Sequence, residues 1–111
     1  MTTGDALPRR GEIWWVRVDK RRPALVMQTD KVREPRVGSF LVVPLASRLH
    51  LEGLPGNVRL SRAETHLPKA SIANVYDVQK VLRQDFSECL GTLPTGKLLM
   101  IESGLRLALD L

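Results

Sequence analysis

Two short apolar runs, Ile13-Trp14-Trp15-Val16 and Ala24-Leu25-Val26-Met27, flank a dense cationic corner, Asp19-Lys20-Arg21-Arg22-Pro23. Neither run is long enough for a buried helix, and the first is rich in β-branched and aromatic residues. They read as adjacent strands that must present the charge between them. Pro23 fixes its own φ and biases Arg22 toward an extended backbone, so this arginine leaves the corner in a defined direction. A guanidinium is planar, permanently charged and forked, which matches phosphate oxygens in a way the neighbouring Lys20 cannot copy. On spacing alone, solubilising a turn is the stronger explanation of Arg21 and Arg22.

At 111 residues the chain holds one small core and not two independent ones. Its 17 Lys and Arg against 12 Asp and Glu give a net charge of +5 and an isoelectric point near 10.0, which favours polyanionic partners. The single cysteine, Cys89, rules out an internal disulfide and a cysteine zinc site, and fits a reducing, cytoplasmic setting. Nowhere do 18 apolar residues follow one another, so no membrane association is expected. Aromatic content of 5% argues against a broad base-stacking sheet.

Residues 1–9 are polar and aperiodic and read as a flexible arm before a domain at 10–111. Strands are expected at 12–18, 24–29, 40–45 and 57–60, with a charged loop at 30–38 and a second loop at 48–56. In the first strand Trp14, Val16 and Val18 fall on one face, and at least one tryptophan should be buried. Pro44 cannot donate to a ladder, so the end of the third strand belongs at an edge or bulge, with Ala46 and Ser47 just beyond it. Ser61 and Glu64 match a capping box for one helical turn. The stretches 71–75 and 77–81 read as one long strand or two, and 95–111 as a helix with Leu98, Ile101, Leu105, Ala108 and Leu109 on one face, slightly weakened by Gly104. Leu98, Leu99, Leu105 and Leu109 read as packed on the barrel or at a dimer contact. These elements describe a mainly β fold with α: a small, strongly bent barrel and a C-terminal helix.

The order of features resembles the MazF/PemK (Kid-like) toxins of type II toxin-antitoxin pairs. Arg10-Gly11-Glu12-Ile13-Trp14 is similar to the family's opening strand, and Arg22-Pro23-Ala24-Leu25-Val26 with Gln28 and Asp30 to its second. Val42-Val43-Pro44-Leu45, Pro55-Gly56-Asn57-Val58-Arg59-Leu60, Leu67-Pro68-Lys69-Ala70-Ser71 and 106–111 continue the series. The resemblance implies an SH3-like barrel shared with the CcdB gyrase poisons, assembled as a homodimer. It implies metal-independent, cofactor-free endoribonuclease cleavage of single-stranded RNA, including mRNA, at short motifs. It also implies a cognate antitoxin with an acidic C-terminal segment, through which alone the protein would meet DNA.

Two departures mark this chain. The family's long loop between the first two strands is reduced to Asp19-Lys20-Arg21, as in a shorter subgroup that includes mycobacterial members. The family's catalytic arginine falls on Arg22, but its partner threonine falls on Ala46. Ser47 is the nearest hydroxyl; because neighbours on a strand face opposite ways, it replaces the threonine only if the strand ends in a bulge.

Metal-free RNA cleavage needs a base for the 2'-proton, a cation for the charge growing on the phosphoryl oxygens and an acid for the 5'-oxygen. Arg22 fits the cation and Ser47 is the second catalytic candidate, while the base is not legible. Lys20, Arg21, Lys31, Arg33, Arg36, Arg48, His50 and Lys69 are candidates for tracking the RNA, although His50 and His66 read equally as ordinary loop and turn histidines. Asp30 is placed to orient Arg22 or to cap a turn. A non-catalytic RNA- or antitoxin-binding member, for which Ala46 speaks, and a gyrase-binding poison stay open beside the nuclease.

Overall fold

The computed structural model describes residues 7–32 and 34–111. Apolar residues on both faces build β1 (Glu12–Arg17), and a continuous buried run ends β2 (Arg21–Val26), the two paired antiparallel with Trp15 opposite Pro23 and Val16 opposite Arg22. The corner is therefore tighter than expected: β2 begins at Arg21, and only Val18 to Lys20 turn, with Val18 N–H donating to the Lys20 carbonyl at 3.3 Å. Pro23 is tolerated because pairing with β3 (Ser39–Ala46) begins at Ala24. At the other end β2 stops at Val26, before the expected 29. There the Gln28 side chain takes over the ladder, donating to the Ser39 carbonyl and accepting from Leu41 N–H at 3.2 and 3.1 Å.

β3 organises the remaining strands. Its outer edge pairs with β6 (Gln79–Leu82) over Ser39 to Val42, then with β5 (Ser71–Ala73) at Leu45 and Ala46. Pro44 sits between the two partners, and its carbonyl accepts from Asn74 N–H at 3.1 Å. The missing N–H falls at the one place on that edge where no partner asks for it. The stretch 71–81 is thus two strands, each laid against a different half of β3. β4 (Val58–Leu60) pairs with β5, and β7 (Phe86–Thr92) with β1 through two register shifts, giving the order β4-β5-β3-β2-β1-β7 with β6 beside β3.

The bent sheet has a core on each side. Trp14, Val16, Ala24, Val26, Phe40, Val42, Val81 and Phe86 fill the inside of the curl, where Phe86 meets Trp14 and Phe40 edge to face at 5.7 and 5.5 Å. The 3-10 turn Arg83–Asp85 joins β6 to β7 across the open seam, and among the described residues no ladder closes it. The expected barrel is an open one. The opposite face packs Ile13, Leu25, Val43 and Leu45 against β4, β5, α1 (Arg62–Thr65) and α2 (Thr95–Leu109). No helix among the described residues is long and apolar enough to cross a membrane.

Several expectations need correction. Val18 is exposed at the corner. On α2, Ile101 is fully buried and Leu98, Leu105 and Ala108 lean on the core, whereas Leu99 and Leu109, each 55% exposed in the single chain, do not pack on the barrel. Leu109 runs off the core where the helix ends, with Asp110 in the left-handed region at φ 57°. The loop 48–56 contains a 3-10 turn at Leu49–Gly53. Of the expected arm 1–9, residues 1–6 lie outside the described residues, but Pro8 is buried and Arg9 N–H donates to Glu12 Oε1 at 2.7 Å, so the packed chain starts ahead of residue 10. Ser61 and Glu64 do form the reciprocal capping box on α1.

Candidate functional site

The start of β2, the end of β3 and the segment 67–71 before β5 converge on a groove of about 570 Å³. Lys20, Arg21, Arg22, Arg48 and Lys69 line it, together with Trp15, Ala46, Ser47, Asn74 and Asp77. Five cations and one carboxylate, Asp77, line it, with Asp19 and Glu88 paired to Arg22 and Arg21 beside it, so the concavity keeps a positive excess. Nothing in the neighbouring sequence signals Asn74 or Asp77, since both arrive through the turn after β5. Asn74 is fixed there by its N–H on the Pro44 carbonyl, while its Oδ1 accepts from Asn57 Nδ2 and Tyr76 N–H, both at 3.3 Å.

Arg22 is half-buried, and its Nε and Nη2 reach the two Asp19 carboxylate oxygens at 3.3 and 3.4 Å. That hydrogen bond is the main reason the Asp19 carboxyl is held below its ordinary value. Asp30 does not serve Arg22: its Oδ1 accepts from Arg10 N–H at 3.0 Å, tying the approach to β1 onto the end of β2. Arg21 takes a different route, lying over the Trp15 ring at 4.3 Å while donating to Glu88 at 3.2 Å.

The register between β2 and β3 pairs Ala24 with Pro44, and continuing it by two residues sets Ala46 across from Arg22. No bulge is required for Ser47 to reach the groove. β3 ends at Ala46, the chain bends at Ser47, and strand alternation no longer dictates where the hydroxyl goes. Both residues line the groove.

Described as the PemK-like, MazF-like toxin of type II toxin-antitoxin systems, one family model matches residues 9–109. This chain belongs to the PemK/MazF toxin family. Endoribonuclease MazF6 of Mycobacterium tuberculosis is 32% identical over 110 residues, spanning 92% of this chain and 96% of that protein. The solved structure of Mycobacterium tuberculosis toxin MazF-mt6 superposes with a TM-score of 0.79 at 24% identity, covering 90% of this chain and 97% of that one. An endoribonuclease in complex with its cognate antitoxin, from a mycobacterial species, has the same fold, with a TM-score of 0.77 at 19% identity over 94% and 96% of the two chains.

Of the remaining residues singled out in this PemK/MazF chain, Lys31, Arg36 and His50 do not line the groove. Arg36 is spent on Glu34, with contacts of 2.9 and 3.3 Å. His50 is exposed in the 3-10 turn, and Arg33 lies outside the described residues. His66 ends α1 in the left-handed region at φ 65° and packs against Gly91 of β7, where an added Cβ would lie 3.2 Å from its ring. Its role here is to turn the chain.

Proposed function

We propose that this chain is an endoribonuclease toxin whose groove holds single-stranded RNA and whose Arg22 stabilises the cleaved phosphate. The observation that carries this reading is the convergence of Arg22 with four other cations on one concavity. A single RNA strand brings one negative charge per nucleotide to such a surface, with counterion release as the driving force.

The reaction is attack of the substrate's own 2'-oxygen on the adjacent phosphorus. The P–O5' bond breaks, leaving a 2',3'-cyclic phosphate and a 5'-hydroxyl; the 2'-proton leaves and the 5'-oxygen gains one. Arg22 neutralises charge on the phosphoryl oxygens, a contribution of roughly 100-fold to 1,000-fold in rate for one well-placed donor. Ser47 supplies a hydroxyl hydrogen bond in place of the one Ala46 lacks. Asp77 is the carboxylate in the groove able to accept a proton.

The same positive surface suits an acidic antitoxin segment, which would compete with RNA, and DNA is met only through that antitoxin. The working assembly is a homodimer in the cytoplasm. Incubation with long single-stranded RNA, in EDTA and in magnesium, tests the reading by mapping both new ends. Discrete cuts with cyclic-phosphate and 5'-hydroxyl ends in both buffers are expected, and random or metal-dependent cutting contradicts it. Ala46 favours a second reading, a member that binds RNA or antitoxin without cutting, and tight binding with no cleavage would select it.

A further inference from the structure

Trp15 brings an aromatic ring to the groove between two neighbouring strands. Trp15 on β1 stands in register with Pro23 of β2 on one side and Glu88 of β7 on the other. Arg21, two positions along β2 from Pro23, lies diagonal to Trp15 on the same face, within reach of a long side chain. Its guanidinium carbon sits 4.3 Å from the centre of the indole, and its Nη2 donates to Glu88 Oε1 at 3.2 Å.

Among the described residues Trp15 is the one aromatic side chain lining the groove, half-buried with its body against the α2-side core. The Arg21 side chain keeps 52% of its surface exposed. Each arginine has its edge partly engaged by a carboxylate, Arg21 by Glu88 and Arg22 by Asp19, but only Arg21 also lies over an indole. What Arg21 adds is a face. A guanidinium backed by an indole suits a neutral nucleobase, which every single-stranded RNA presents and an acidic peptide does not.

We infer that Trp15 and Arg21 form a stacking shelf for one unpaired base of the RNA, next to the phosphate held by Arg22, with Glu88 keeping the guanidinium flat. The shelf rests on the RNA-cleaving reading of the groove. It gives Arg21 a task distinct from that of Lys20, Arg48 and Lys69, which meet the backbone. A base stacked on an aromatic platform changes affinity by roughly 5-fold to 150-fold.

The test is an abasic scan across a short RNA spanning the mapped cut, with a 2'-deoxy sugar at the cleaved nucleotide, and Kd measured for the wild type, Trp15→Phe and Trp15→Leu. In the wild type, one abasic position beside the cut weakens binding within that range. Trp15→Leu binds the intact RNA correspondingly weakly and shows no further loss at that position, while Trp15→Phe keeps most of the effect. Because Trp15 also packs on the core, a Trp14→Phe protein supplies a second measurement: Trp15 fluorescence changes on binding intact RNA and not on binding the abasic one. Equal abasic penalties in the wild type and Trp15→Leu, or an unchanged Trp15 signal, overturn the shelf. Failure to cut any RNA counts against the proposed function, and the same scan on a bound, uncut oligonucleotide still decides the shelf. Absence of any RNA binding overturns both.

Discussion

Arg22 and Asp19 face each other across the tip of the β1–β2 corner, with Nε on one carboxylate oxygen and Nη2 on the other at 3.3 and 3.4 Å. Both side chains are substantially exposed, so the pair directs the guanidinium more than it stabilises the fold. Asp19→Asn is expected to leave denaturation midpoints unchanged at neutral pH and to reduce kcat by roughly a few fold, since an exposed pair holds orientation weakly. A depressed carboxyl contributes above its ordinary value and loses that contribution as pH falls through the lowered one. Any difference between the wild type and Asp19→Asn should therefore be flat from pH 5 to 8 and be lost only as pH falls through the lowered value, beneath the ordinary carboxylate range.

Ser47 carries the hydroxyl that Ala46 lacks. Ser47→Ala should lower kcat by about 10-fold or more, the loss expected for one hydrogen bond to a charged group, with KM little changed. Ala46→Thr introduced into that variant should recover part of the rate. Steady-state kinetics on one oligonucleotide, with circular dichroism to verify folding, reads both.

Groove position separates the cations. Lys20→Ala, Arg48→Ala and Lys69→Ala should each weaken RNA binding and reduce the slope of log K against log salt by about 0.7, one single-strand phosphate contact. Lys31→Ala, Arg36→Ala and His50→Ala should leave the slope unchanged, because they lie off the groove. Binding titrations between low and moderate salt measure the slopes.

Gly104 is a fold determinant. A Cβ there would stand 2.0 Å from the Gly56 carbonyl oxygen, and Gly56 itself holds a φ of +95°. Helix α2 lies directly on the backbone of the turn before β4. Gly104→Ala, which would strengthen an isolated helix, should instead destabilise by about 1–3 kcal/mol through overpacking. Thermal melting should fall by roughly 5–20 °C.

These cases mark what the chain discloses locally. The apolar run of β1, the Ser61 and Glu64 box and the 98, 101, 105 and 108 spacing act within a few residues and are legible in order. Gly104 reads as a weak helix residue until Gly56 is placed beneath it. Asn74 and Asp77 join the groove only because β5 and β6 divide one edge of β3, a pairing between segments 26 to 43 residues apart that no local pattern encodes. Trp15 reads as core from its strand, and its second role depends on Arg21 and Glu88 arriving from β2 and β7. The direction in which Arg22 leaves the corner follows from Pro23 and the short turn, whereas its proposed role needs the family resemblance as well.

The most direct test of the account is the single-turnover rate of RNA cleavage by Arg22→Ala beside the wild type, with Kd measured on the uncleavable oligonucleotide and the fold checked by melting. A rate lowered by roughly 100-fold to 1,000-fold, with an unchanged melting temperature and only a modest loss of binding, is predicted. A folded Arg22→Ala protein that cuts at the wild-type rate would contradict it.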